Sequence, residues 1–237
     1  GSMSPLATII EEEGVYIDNF KIVDQGRFCE EELVKLLTGA RYPVRNVVQN
    51  VNDLKAQIAA NEKGVHELRK MVEQVGLGVG EAYMGHVQDN AEAVVRQAIA
   101  ALKPGSFEVE MDGGAVIRVR IDIDAATRSA RIDFAGTSPQ QANNFNAPAS
   151  VAKAAVLYCF RCLADDDIPL NAGCLRPLDI AIPDGSMLKP RYPAAVVAGN
   201  VETSQAVTDA IFGAIGVLAA SQGTMNNLTF GDARYQY

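Results

Sequence analysis

Apolar residues recur along this chain with more than one period, and each period predicts a different architecture. Between residues 44 and 75 they alternate by three and four: Val44, Val47, Val51, Leu54, Ile58, Asn61, Val65, Leu68, Val72 and Val75. This is a heptad stripe whose one polar member is Asn61, and it predicts a helix on the order of 50 Å long starting just after Pro43. Gly76, Gly78 and Gly80 should break it. A second helix is expected over 81–102, with Val87, Ala91, Val94, Ala98 and Leu102 facing inward and Pro104-Gly105 as its stop. The pair should form an antiparallel helical hairpin. From Ser106 the period falls to two and predicts three strands, 107–111, 116–123 and 130–134, the first two joined across Asp112-Gly113-Gly114. Charged residues alternate there with Val and Ile, so one sheet face should be wet and the other packed on helices.

The remaining segments are shorter. A strand is expected near 15–23, and a helix over 29–38 with Leu33, Leu36 and Leu37 inward and Gly39 at its end. Further on come a helix over 148–163, a strand at 178–182 and a turn at Pro183-Asp184-Gly185. The stretch AAVVAGNVETSQ, residues 194–205, reads as strand, tight turn and helix, the helix running on through Val207, Ile211, Ile215 and Leu218. These elements predict an α+β fold. Residues 1–105 would form an N-terminal strand and hairpin region, and 106–237 an α+β region carrying loops rich in Asn and Gly.

Composition narrows the function classes. With 237 residues the chain can bury a sizeable core. Its 21 Lys and Arg against 29 Asp and Glu form no basic patch, which argues against nucleic acid as a partner. The longest apolar run, around residues 211–220, is too short to span a bilayer. No signal peptide is evident, and 4 cysteines do not make a disulfide framework, so reduced thiols and a cytoplasmic location are expected. Cys159 and Cys162 form C-x-x-C late in an apolar helix, where packing is favoured over redox chemistry. The glycines at 76–80 follow a helix and not a strand, so a dinucleotide loop is not indicated. His66 and His86 have no second ligand at metal spacing and read as surface or interface residues. Glu11, Glu12 and Glu13 read as a solvated turn, with cation contact as the alternative.

At the junction of residues 194–205 the free N–H groups and positive dipole of a helix start are suited to a carboxylate, a phosphate or a developing oxyanion. Asn200 serves there either as helix cap or in catalysis. Glu202 is either a first-turn acid or a general base or cation ligand. Arg176 would hold a substrate carboxylate or a structural acid such as Asp179. Cys174 lies in a loop with no histidine near it in sequence and reads as a packed thiol.

Four polar loops carry a family resemblance: GTSPQ…NNFNAP at 136–148, DIPLNAGCLRPLDI at 167–180, AAVVAGNVETSQ at 194–205 and AASQGTMNNLTFG at 219–231. With EEEGVYID near the start and NDLKAQIAAN at 52–61, they resemble the hydantoinase B/oxoprolinase family, closest to its 5-oxoprolinase branch. The resemblance implies ATP-dependent opening of a cyclic amide, with hydantoins and ketones as alternative substrates. It also implies a companion A-type subunit or domain for ATP, a divalent metal in the full enzyme and an oligomer. Neither ATP nor metal is expected on this chain alone, which resembles an interior piece of a B-type subunit; Gly1 to Met3 then resemble family sequence and not a tag. A docking scaffold without chemistry of its own is the other reading.

For ring opening, the residues to bear the chemistry are Glu202 and Asn200. Side-chain amides offer a donor and an acceptor in one plane, matched to a lactam N–H and C=O. Substrate contacts are therefore expected from Asn143, Asn146, Asn171, Arg176, Thr203, Ser204, Gln222, Asn226 and Asn227. Turn formation accounts for asparagines in such loops equally well.

Overall fold

The computed structural model describes residues 6–164, 167–220 and 223. In chain order its elements are a short helix α1 (Ile10–Glu13), a small hairpin of β1 (Val23–Asp24) and β2 (Arg27–Phe28), and helices α2 (Glu30–Gly39), α3 (Val47–Val75) and α4 (Leu77–Ala100). Strands β3 (Gly105–Glu110), β4 (Val116–Asp124) and β5 (Ser129–Asp133) follow, then α5 (Ala149–Cys162), β6 (Leu178–Ala181) and α6 (Glu202–Ile215). Single 3-10 turns at Ala172–Leu175 and Val197–Asn200 precede β6 and α6. The fold is α+β.

The period-two segments form a sheet of order β3-β4-β5-β6, antiparallel except for the parallel β5–β6 pair. Alternation sets its faces. Ile117, Val119 and Ile121 of β4 and Ala130 and Ile132 of β5 are buried, while Arg118, Arg120 and Arg131 between them stay in water. On the wet face Arg118 pairs with Glu108 and Arg131 with Asp179. Helix α6 covers β3 and β4, and α5 packs on α6. Helix α4 brings Ala91, Val95 and Ile99 into the same core, which Phe134, Phe160, Met187 and Leu188 fill.

The first helices build something different. Leu33 and Leu37 of α2 bury Val51 of α3 in a small separate cluster. Beyond it α3 projects as an arm, 29 residues or about 44 Å long, whose residues 61–70 are all exposed. It meets α4 near the joint, where Gly80 lies against Met71.

Several boundaries differ from expectation for identifiable reasons. Helix α3 starts at Val47, not at Pro43, because the Asn46 side chain accepts from the Gln49 amide at 3.1 Å and caps it there. Gly76 alone breaks the helix, at φ 85, whereas Gly78 and Gly80 continue as helix inside α4. The inward face of α4 is Ala91, Val95 and Ile99, one residue on from the expected Val94 and Ala98, and Val87 is exposed. Of the strand expected at 15–23 only Val23 pairs, against Phe28. Helix α6 ends at Ile215 because Gly216 turns left-handed, φ 71, which leaves Leu218 outside.

Candidate active site

Residues 194–198 are no strand. Apart from an isolated bridge between Ala194 and Ile9, they lead straight into the 3-10 turn that precedes α6. Two other segments hold this turn. The first is the loop 141–147, organised by the fully buried Asn146. Its Oδ1 accepts from the Gln141 amide at 2.7 Å, and its Nδ2 donates to the carbonyls of Gln141, Asn143 and Ala195 at 2.8–3.0 Å. The Ala198 amide donates to the Asn144 carbonyl at 2.9 Å, and Thr203 Oγ1 donates to the Phe145 carbonyl at 2.5 Å. Gly199 packs so closely on this loop that a Cβ there would stand 2.1 Å from the Asn146 carbonyl oxygen.

The second segment is α1, and it corrects the reading of Glu11 to Glu13 as a solvated turn. Glu13 accepts from the amides of Val196 and Val197. Glu11 accepts from the Tyr192 hydroxyl, which pushes that phenol above its usual range. Glu12 accepts from the Thr8 amide at 2.8 Å, which holds its carboxyl below the ordinary glutamate range. Glu13 thus puts a carboxylate of the protein itself on the two amides at the entry to the 3-10 turn, ahead of α6. Each side chain has a backbone or hydroxyl donor, and that is why three adjacent acids are tolerated.

Helix α6 starts without a side-chain cap, so Asn200 is not its N-cap; Ser204 Oγ donates back to the Asn200 carbonyl at 2.8 Å. Two cavities flank its first turns. One, of about 400 Å³, lies between α6, the β3–β4 turn and the loop 141–145, and is lined by Glu202, Gln205, Asp209, Gln141, Asn143 and Asp112 among others. The other, of about 510 Å³, is a groove between α5 and α6 that contains Asn200, Ser204, Gln205, Thr208 and Tyr158. Gln205 borders both.

The sequence-predicted residues thus divide. Glu202 and Asn143 share the first cavity, and Asn200 and Ser204 share the groove beside it. Asn146 and Thr203 are fully buried and spend their polar atoms joining the two loops, which makes them framework and not contact surface. Asn171 and Arg176 stand apart, against α4. The Asn171 side chain accepts from Gly173 at 2.8 Å and donates to the Pro169 carbonyl at 3.0 Å. Arg176 binds Asp89 and Gln88 at 2.7 Å and Glu92 at 3.3 Å, and not Asp179, which Arg131 takes. Arg96 first and Arg176 next hold Glu92 below the ordinary carboxylate range. Gln222, Asn226 and Asn227 lie outside the described residues. Cys174 is buried as a packed thiol, and burial pushes the Cys159 thiol up to about 12, consistent with packing and not redox use.

Four lining or bracing residues were not foreseen: Gln141, Gln205, Asp209 and Glu13. Helical spacing would have found two of them, since Gln205 and Asp209 follow Glu202 at three and seven residues on one face. No local signal points Glu13 at a turn so distant in sequence.

Comparison with known proteins gives the family and the fold. The model of the Hydantoinase B/oxoprolinase family matches residues 1–237. The chain is 47% identical to 5-oxoprolinase 1 of Arabidopsis thaliana, over all of this chain and 21% of that protein. It is 43% identical to 5-oxoprolinase of Dictyostelium discoideum, again over its whole length and 19% of the relative. The chain thus spans about a fifth of the length of these relatives. The crystal structure of the ATP-dependent caprolactamase from Pseudomonas jessenii superposes with a TM-score of 0.72 at 22% identity, covering 90% of this chain and 38% of that one, and so shares the fold.

Proposed function

The chain belongs to the hydantoinase B/oxoprolinase family, and from this we propose that it forms part of the ring-opening site of an ATP-dependent cyclic-amide hydrolase. The overall reaction is that of a 5-oxoprolinase: 5-oxo-L-proline, ATP and water give L-glutamate, ADP and phosphate. The single observation that carries this is the cavity in which Glu202, Gln205, Gln141 and Asn143 face one another at the first turns of α6. Side-chain amides match the N–H and C=O edge of a lactam. Glu202 takes a proton from the attacking water, and Gln205 and Asn143 donate to the oxygens of the tetrahedral centre that forms. ATP, held by an A-type subunit or domain, supplies the driving force by phosphorylating the amide oxygen; after water adds to the ring carbon the ring C–N bond breaks, the proton taken by Glu202 passes to the leaving nitrogen, and a second water hydrolyses the resulting acyl phosphate to glutamate and phosphate. Among the described residues no group of three or more His, Cys, Asp or Glu side chains converges on a metal site.

No helix among the described residues is long and apolar enough to cross a membrane. The four cysteines are free, which favours a reducing compartment, and on that ground we propose the cytoplasm. A second role for the same chain, docking of the A-type partner, is favoured by the exposed stripe of α3. The test of the ring-opening reading is glutamate release from 5-oxo-L-proline by the full-length enzyme with ATP. Glu202→Gln should lower kcat by about 10²–10⁴-fold, the usual contribution of a general base, while Asn143→Ala should lower it less. Wild-type rates in both variants would remove this cavity from the chemistry. The isolated chain should release no glutamate.

A further inference from the structure

The amides of Val196 and Val197 stand at the entry to the 3-10 turn Val197–Asn200. Amides at the start of such a turn have no partner within it. Glu13 meets both: Oε1 accepts from Val196 at 2.9 Å and from Val197 at 2.7 Å, and Oε2 accepts from Val196 at 3.0 Å. These are charge-assisted bonds to two successive donors, so they restrict the turn in position and in orientation. The turn carries Asn200, and α6 begins with Glu202 directly after Val201. Glu13 and Asn200 also line one further cavity of about 460 Å³.

We propose that Glu13 is a positioning residue: by clamping two adjacent amides it sets where the first turn of α6, and with it Glu202, stands relative to the Asn143 loop. The proposal rests on the reading of the neighbouring cavity as the ring-opening site. The turn has a second, uncharged clamp on its other side, from Asn146 to Ala195 and from Ala198 to Asn144. Loss of Glu13 therefore leaves the turn folded with one constraint fewer, and Glu202 is displaced instead of lost. A displacement of that kind acts on the chemical step more than on binding.

The experiment uses the full-length enzyme with ATP and 5-oxo-L-proline, comparing wild type, Glu13→Gln, Glu13→Asp, Glu202→Gln and the double variant Glu13→Gln/Glu202→Gln, with Tm measured for each. Glu13→Gln keeps the size of the side chain and removes its charge. It should lower kcat by about 10–10²-fold, as a misplacement of about 1 Å does, with KM little changed. Glu13→Asp, which keeps the charge on a shorter stem, should recover part of the rate. The double variant should be no slower than Glu202→Gln alone. Glu202→Gln slow and Glu13→Gln at wild-type rate would overturn the positioning role and leave the site reading intact. Glu202→Gln at wild-type rate would overturn both. Losses that multiply in the double variant, or a fall in kcat that only tracks the folded fraction, would also overturn it.

Discussion

Along α3, Val65, Leu68 and Val75 keep 40%, 53% and 47% of their surface in water, whereas Ile117, Val119 and Ile121 of β4 keep at most 1%. Both stretches show equally regular apolar periodicity in the sequence. Periodicity decides which element forms and which residues share a face; what comes to lie against that face is decided by the rest of the polypeptide. The glycines sharpen the contrast. In the arm, a Cβ on Gly64 would meet no atom within 4 Å beyond its chain neighbours and the backbone of its own helix. In the body, a Cβ on Gly173 would stand 2.0 Å from the Gln88 carbonyl oxygen, and one on Gly199 2.1 Å from that of Asn146. The body is built on backbone-to-backbone approach, and the arm tolerates extra atoms.

The comparison can be broken at several points. The largest effect should come from Phe134→Ala in the sheet core, a loss of about 3–5 kcal/mol in chemical denaturation; a loss under about 1 kcal/mol would mean the body is no better packed than the arm. Next comes Gly199→Ala, which forces a methyl against backbone and should cost about 1–3 kcal/mol in the same measurement. It should lower activity of the full-length enzyme as well. Gly64→Ala in the arm has the opposite sign: it should stabilise by about 0.5–1 kcal/mol, because an open helical site gains only the propensity of alanine. A destabilisation there would show that the arm is covered.

The smallest effect concerns pH. The folded-state pKa of Glu92 is lowered from 4.5 by Arg96 and Arg176, so its contribution to stability is present above that unfolded value and is lost as pH falls through the lower folded one. Acid titration of Tm should show a slightly shallower decline for Glu92→Gln than for wild type below about pH 5. Parallel curves would remove this cluster from the acid response of the body.

Much of this architecture could be read before any coordinates. The sheet, α5 and the α6 periodicity followed from alternation and helical spacing, since those patterns respond to one buried face. The α4 face was set one residue off, because Val94, Val95, Ala98 and Ile99 are all apolar and only packing chooses among them. The polar loops were legible as loops, but the duty of each amide was not. Asn143 and Asn146 differ by three residues in one asparagine-rich loop; one is exposed beside the cavity and the other is fully buried. Glu11 and Glu13 read as solvated because nothing local names a partner, and theirs, Tyr192, Val196 and Val197, lie 181–184 residues on.

That distance has a consequence in time. Glu13 and Val196 are 183 residues apart, and at the usual ribosomal pace of about 5–20 residues per second roughly 10–40 s separate their synthesis. Throughout that interval the glutamate has no amides to receive it. The turn before α6 can therefore be fastened only near the close of translation of this stretch, so a nascent chain stalled before residue 196 would carry every strand of its sheet and still lack the Glu13 clamp.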